Sequence, residues 1–492
     1  MRDLREKTIR GGFARLCAQG ASFLLRVGSL MVLARLLGPK DFGLVGMVTA
    51  FTGVLTLFRD FGLSSAAVQR ATVTDEQIST LFWINVAFGA LLGLVTAAMA
   101  PLIAAFYHEP RLFAVAAVLA VGFLFNAAGI QHSVLLQRQM RFTALAAISV
   151  ISLIVGTAVA IGGAMAGYGY WALVGMTVSL PFTTTIGLWL TSGWVPGMPR
   201  RRVGIRSMMR FGATLTLNGL VVYVASNLEK VLLGRFWGVD AIGIYGRAYQ
   251  LISIPTDNLN SAASEVGFSA LSRLQDDPPR LKSYFLKGYS LLLALTLPIT
   301  LACALFADDV VAVLLGPKWM AAAPIFRLLA PTVLVFAIAN PLAWLLSSIG
   351  LVGRLLKMAL VIAPIMIAGY LVGLPYGPKG VALAYSVVMT AWLIPLVIWA
   401  LHGTAISPRD ILLAGSRPFA SSIAAAGLAY AVRVFYGHWL PVIPRLMLES
   451  TVLLVAFAGI LLFVAGQKSL YLSLLRGFTR SAPAEEASLA SA

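Results

Sequence analysis

Arg15, Gln19, Ser22, Arg26 and Ser29 follow one another at intervals of four, three, four and three residues. At about 100° per residue, that spacing puts all five on one face of a helix, with Arg15 and Arg26 about 16 Å apart along its axis. Leu16, Phe23, Leu24 and Leu25 occupy the turns between them. Guanidinium groups fork onto phosphate or carboxylate oxygens, so this stripe has the chemistry of an anion-binding face. Arg26 falls near the centre of an apolar run, too deep to reach either surface easily, and is a ligand-binding cation or a bridge between helices. Arg15 lies nearer the end of the run, where reaching back to the interface explains it equally well. Arg35 is on the opposite face near the far end, which favours anchoring or loop packing.

A looser stripe runs through Thr216, Tyr223, Asn227 and Lys230. Lys230 is positioned to bind phosphate or to pair with an acid; its neighbour Glu229 shares a different face with Asn218. Arg59 and Asp60 adjoin at the end of an apolar run, as a local ion pair or as site residues, and Arg247 and Asp257 occupy another run. Ionisable groups inside apolar runs are functional candidates, and Asp60, Asp257 and Glu265 are the candidates for a coupled proton or sodium ion. His108, His132, His402 and His438 are scattered without metal-ligand spacing, and no P-loop with its Gly-Lys-Ser/Thr ending occurs. No metal, cofactor or catalytic constellation is expected.

The elements that carry these residues are set by composition. Of 492 residues, 59% are hydrophobic and 11% charged, against roughly 25% charged in a soluble domain. Apolar runs of about 20 residues, each long enough to cross a bilayer core, recur along nearly the whole chain. The expected fold is an all-α polytopic membrane protein with spans at 12–37, 42–64, 77–106, 112–136, 144–166, 168–192, 208–236, 241–270, 284–307, 321–349, 353–374, 379–401, 409–435 and 446–466. The run at 241–270 is the least regular, because it holds Pro255, Asp257, Asn258, Asn260 and Glu265. Tryptophans near span ends fit interfacial belts, and prolines at 101, 181, 298, 331, 341, 364 and 395 predict kinks.

Basic residues alternate between the connecting loops. Arg2, Arg5, Lys7, Arg10, Arg70, Arg138, Arg141, Arg200–Arg202 and their successors outnumber Lys40, Arg111, Lys318, Lys379 and Arg445 by about four to one. That asymmetry predicts both termini in the cytoplasm. It also accounts for most of the formal net charge of +18 without nucleic acid. Cys17 and Cys303 lie inside apolar runs and imply no disulfide framework. The basic start followed by a long apolar run reads as a retained first helix rather than a cleaved signal.

ARLLGPKDFGLVG, from residue 34, and GRFWGVDAIGIYG, from residue 234, share an arginine and three glycines at an offset of 200. Each copy follows the first helix of a group of six, which predicts a parallel duplication with the substrate between two lobes. The expected organisation is a six-helix lobe at 1–200, a second at 201–404, two further transmembrane helices at 405–470 and a disordered tail at 471–492. The repeated glycines are expected to pack α-helix one on two, and seven on eight, at outer turns.

LARLLGPKDFGLVGMVTAFTGVLTLFRDFGLSSAAVQR, together with NLEKVLLGRFWGVDAIGIYGRAYQL, resembles the bacterial polysaccharide transporter family of the multidrug/oligosaccharidyl-lipid/polysaccharide exporter superfamily. The likeness extends over essentially the whole chain in length, span number and halves. It implies two six-helix lobes around a cationic cavity. It also implies translocation of undecaprenyl-pyrophosphate-linked oligosaccharide to the periplasmic leaflet of the bacterial inner membrane, for exopolysaccharide or lipopolysaccharide synthesis. On that basis Arg15, Gln19, Ser22, Arg26, Arg59, Asn227, Lys230 and Arg247 are the substrate-binding candidates. The partners implied are the lipid-linked oligosaccharide, membrane lipid, a polysaccharide polymerase and a chain-length regulator. An ion-coupled multidrug antiporter of the same superfamily would favour an acidic cavity rather than an arginine stripe. A membrane polymerase or ligase would need a sizeable periplasmic loop with catalytic residues, and a peptidoglycan-precursor flippase shares the cationic logic.

Overall fold

The computed structural model describes the backbone of residues 2–58, 74–199, 206–437 and 439–468, with side chains over the same residues except 2–18, 206–219 and scattered positions between 221 and 269. Arg59 and Asp60 therefore lie outside the described residues, as do the side chains of Arg15 and Glu265. Helices make up most of the described chain, and no strand occurs among the described residues. Its elements are α1 (Arg2–Leu36), α2 (Pro39–Leu57), α3 (Asp75–Tyr107), α4 (Arg111–Arg138), α5 (Phe142–Met165), α6 (Tyr170–Ser192) and α7 (Arg206–Arg273). They continue with α8 (Pro278–Leu305), α9 (Ala307–Leu314), α10 (Ala322–Leu329), α11 (Pro331–Ser348), α12 (Val352–Gly373), α13 (Gly377–Leu401), α14 (Pro408–Tyr436) and α15 (Val442–Gly459). Ten stretches among the described residues are long and apolar enough to cross a membrane, and one of them, Val352–Leu401, contains both α12 and α13. The architecture is consistent with fourteen passes.

Helix starts follow their local chemistry. The Asp41 carboxylate accepts from the Gly38 amide at 2.9 Å ahead of Pro39 at the first position of α2. Thr74 and Gln77 cap each other reciprocally at the start of α3, and Ser407 and Asp410 do so at α14. Two places show how glycine and proline shape the spans. The pair expected at 208–236 and 241–270 is present as two helices of α7 that meet at a kink at Gly238, whose φ of 80° and ψ of −170° are open to glycine and few other residues. The span expected at 321–349 is present as the stretch Ala322–Ser348, built from α10 and α11 with Pro331 at the first position of α11.

The chain divides into two compact units. The first comprises residues 1–254, 314–325 and 359–385. Within it α3 packs on α4, α5 on α6, and α1 along α5. Leu44, Met47, Val48, Ile103, Leu112 and Val115 form the centre of its core. Tryptophans act here as clasps on backbone as well as belt residues. Trp83 donates to Gly197 O at 2.9 Å, Trp189 to Ala128 O at 2.9 Å, and Trp237 to Leu374 O at 2.8 Å.

The second unit comprises residues 255–313, 326–358 and 386–492. Here α8 packs on α11 and α14, and α14 packs on α15. A buried charge network secures these last two helices. Arg445 forks onto Asp309, while Arg433 lies 3.5 Å from Asp309 and 3.6 Å from Glu449. Arg433 also donates to the Leu305 carbonyl at 2.8 Å. The side chains of Asp309 and Glu449 are 2% and 1% exposed, so their two arginines compensate acids that water cannot reach.

Candidate functional site

The duplicated segment is the geometric reference for the first unit. A Cβ built on Gly43 would collide with the Val239 carbonyl oxygen, and one on Gly243 with the Pro39 carbonyl oxygen. Both pairs obey the offset of 200, and Lys40 faces Asp240 at 3.9 Å in the same register. Reciprocal contact between equivalent positions is what a twofold relation requires. This corrects the expected packing of helix one on two and seven on eight: the glycines bring α2 against the arm of α7 beyond Gly238. Only a residue without a side chain allows two backbones that close.

The polar residues of the first unit are carried on either side of this contact. On the arm of α7 before Gly238, Asn227 donates to the Tyr223 carbonyl at 3.0 Å and accepts from Lys230 at 2.7 Å. The Lys230 ammonium also sits 5.2 Å from the centre of the Tyr249 ring. Sequence reasoning left Lys230 open between phosphate and an acid; among the described residues no carboxylate lies within ion-pair distance of it. Beyond Gly238, Arg247 is half-buried, with its guanidinium 4.2 Å from the centre of the Phe42 ring and its Nε without a hydrogen bond. Stacking of this kind contributes about 0.5–2 kcal/mol, less than the several kcal/mol that burying a lone charge costs. Arg247 thus has no carboxylate beside it among the described residues, whereas Lys230 lies within electrostatic range of Glu229.

Arg26 is exposed on α1, and its side chain makes no hydrogen bond, ion pair or ring contact among the described residues. Gln19 and Ser22 are half-buried on the same helix. The structure joins Asn227 to Lys230 but shows no direct contact between that pair and Arg26 or Arg247. Arg35 is exposed near the end of α1, where it donates to the Met31 carbonyl at 3.0 Å. Its own carbonyl accepts from Lys318 at 3.4 Å, and Trp319 donates to Ala34 O at 2.8 Å. The loop at 318–319 thus packs on the backbone at the end of α1, while the Arg35 guanidinium bonds within its own helix. Asp257 belongs to the second unit and is exposed.

One acid was passed over in the sequence. Glu229 is 2% exposed and its Oε2 has no hydrogen-bond partner among the described residues. The hydroxyls of Tyr245 and Tyr370 are likewise buried without partners, and Glu229 lies within electrostatic range of both and of Tyr385. Tyr245 stacks on Tyr249 and Tyr370 on Tyr385, with ring centres 6.5 and 6.0 Å apart. A carboxyl in such surroundings needs a proton or a cation to offset the cost of burial. An acid in mid-span was the available signal; the sequence placed Glu229 on a face with Asn218, away from the Lys230 stripe, and in the structure it lies within electrostatic range of Lys230.

The described chain is that of a multi-pass helical membrane protein, with Lys230, Arg247 and the buried acid Glu229 gathered in its first unit. The chain belongs to the polysaccharide biosynthesis protein family, whose model matches residues 32–324. It is 26% identical over 380 residues to the lipopolysaccharide biosynthesis protein WzxC of Escherichia coli K12, covering 75% of this chain and 77% of the relative. It is 23% identical over 429 residues to the succinoglycan biosynthesis transport protein ExoT of Rhizobium meliloti, covering 87% and 86%. The fold is shared with the lipid II flippase MurJ in its inward closed conformation, at a TM-score of 0.72 and 13% identity, over 92% of this chain and 98% of that one.

Proposed function

We propose that the protein is a flippase that moves undecaprenyl-pyrophosphate-linked oligosaccharide repeat units across the bacterial inner membrane by alternating access, for exopolysaccharide or lipopolysaccharide synthesis. The single observation that carries this reading is the set of cations Arg26, Lys230 and Arg247 on helices of a family member, two of which, Arg26 and Arg247, have no carboxylate partner among the described residues. A pyrophosphate needs such cations in a low-dielectric slab, while the lipid tail remains in the bilayer beside the protein. The names of the relatives, a lipopolysaccharide biosynthesis protein and a succinoglycan transport protein, support the same substrate class.

In this reading the six-helix lobes are 1–200 and 201–404, the helices of 405–470 are peripheral, and both termini face the cytoplasm. Arg15, Gln19, Ser22, Arg59 and Asn227 join the three cations in holding the head group, and the chain performs no covalent chemistry. Transport is driven by an ion gradient. Glu229 joins Asp60, Asp257 and Glu265 as a carrier of the coupled ion, because its buried carboxyl needs a proton or a cation. A polymerase and a chain-length regulator act on the translocated units.

The test is performed in cells that depend on this chain for polymer export. Removing the chain should accumulate lipid-linked repeat units in the cytoplasmic leaflet, and Arg26→Ala at wild-type protein level should reproduce that accumulation. Normal export by the Arg26→Ala variant would remove Arg26 from the site. A deletion without accumulation would overturn translocation itself.

A further inference from the structure

Beyond α6 the chain reads GWVPGMP over residues 193–199, a segment without a charge or a side-chain hydroxyl. Rather than extending away from the helices, it folds back along α3. The Gly197 carbonyl accepts from the Trp83 indole at 2.9 Å, and the Gly197 amide donates to the Ser79 hydroxyl at 3.1 Å. Trp194 packs edge-on against His132 of α4 and Phe82 of α3, with ring centres 5.2 and 6.1 Å apart. Trp189 closes the cluster 4.5 Å from His132, whose Nδ1 is hydrogen-bonded to the Ser192 hydroxyl at 2.8 Å.

These contacts fix the depth of the segment. Ser79 and Trp83 lie four and eight residues past the first residue of α3, roughly 6 and 12 Å along its axis. At 33 residues α3 is about 50 Å long, so a bilayer core of roughly 30 Å leaves about 10 Å of it beyond each boundary. Ser79 and Trp83 therefore straddle the boundary between head groups and acyl chains. Irregular backbone at that depth needs its polar groups satisfied by protein. Pro196 and Pro199 have no amide to satisfy. The Gly193 amide donates to the Trp189 carbonyl at 3.1 Å and the Trp194 amide to the Ser192 hydroxyl at 3.4 Å, while Gly197 is held on α3 through both of its backbone groups. The apolar side chains are left outside: Val195 is 76% exposed and Met198 87%.

We propose that residues 193–199 form a strap seated in the cytoplasmic leaflet, with Val195 and Met198 among the acyl chains and anionic phospholipid as its partner. This role goes beyond the flippase reading and rests only on the orientation given with it. Trp83 and Trp189 are partly exposed and bond their N–H groups inward, an arrangement suited to the interface between water and lipid. Charge selects the lipid. Arg141 is exposed and donates to the Thr191 carbonyl at 2.9 Å at the end of α6, and the sequence continues past the strap with Arg200, Arg201, Arg202 and Arg206. A basic cluster beside an apolar segment complements anionic head groups, and the attraction adds to that of the inserted side chains.

The experiment uses the full chain in vesicles of phosphatidylcholine, with and without phosphatidylglycerol. Cys17→Ala removes one native thiol, and Cys303 is retained because it is buried from the label. A nitroxide is attached in turn at Val195→Cys, Met198→Cys, the lipid reference Leu94→Cys in the middle of α3 and the water reference His402→Cys after α13. Oxygen partitions into lipid and a nickel chelate into water, so their collision rates with the nitroxide report its depth. Positions 195 and 198 are expected to resemble position 94 rather than 402, and to move deeper when phosphatidylglycerol is present. Replacing Arg200, Arg201 and Arg202 together by glutamine should abolish that second shift and leave the depth in phosphatidylcholine unchanged. Nickel collisions at 195 and 198 as frequent as at 402 would overturn the strap. So would low collision rates with both reagents, which would mean that protein covers the segment. Equal depth in the two kinds of vesicle would overturn anionic lipid as the partner. None of these readings involves transport, so each stands or falls apart from the flippase reading.

Discussion

Gly43 and Gly243, 200 residues apart, meet in the same contact, each pressed against the carbonyl four residues before the other. The relation is reciprocal, and Lys40 opposite Asp240 continues it. It turns a weak repeat in the sequence into a physical interface between the two copies. Both copies also use a glycine where two helices meet: Gly38 is extended at φ −99°, and Gly238 makes the kink at φ 80°.

Gly43→Ala and Gly243→Ala should each destabilise the protein by roughly 1–3 kcal/mol, because a backbone oxygen cannot turn away from the added methyl. The double variant should cost less than the sum, since the helices have already separated. Thermal unfolding in detergent measures both effects. Melting temperatures equal to the parent's would mean that α2 and α7 can slide apart without loss.

Arg247→Lys keeps the charge but loses the planar face that lies on Phe42. It should bind undecaprenyl pyrophosphate roughly tenfold more weakly, and Arg247→Ala roughly a hundredfold. Titration of the purified chain with that lipid provides the comparison. Unchanged affinity in both variants would make Arg247 a packing residue.

Glu229→Gln keeps the shape of the buried carboxyl but can no longer gain or lose a charge. Turnover in proteoliposomes should lose its dependence on an imposed proton or sodium gradient, while binding of the lipid-linked repeat unit persists. If the variant still responds to the gradient like the parent, another acid carries the ion.

Asp309→Asn leaves Arg445 without its carboxylate partner and should destabilise the second unit by about 3 kcal/mol. Replacing the pair together, Asp309→Leu with Arg445→Met, should recover part of that loss, because neither charge then remains to be solvated. Chemical denaturation in detergent distinguishes the two. Equal stability of the single and the double variant would show that the pair is not coupled.

Much of the fold was legible in the chain because helix length and apolarity are local properties. The span expected at 77–106 is α3 at Asp75–Tyr107, and 409–435 is α14 at Pro408–Tyr436. The kink between the two helices of α7 and the start of α11 have local causes too, at Gly238 and Pro331. The candidate site was less legible. The i, i+3 spacing placed Asn227 and Lys230 on one face, and they do bond, but it could not show which way Lys230 turns between Glu229 and Tyr249.

By itself, the sequence determined that the protein is helical and crosses the membrane many times, and where most of its helices lie, because periodicity and composition act over a few turns. Tertiary structure alone decided that the two glycine segments meet each other, that Glu229 is buried among tyrosines from three helices, and that Gly197 is clasped by Ser79 and Trp83. Those relations join residues up to 200 positions apart, and only the packing of whole helices brings such residues together.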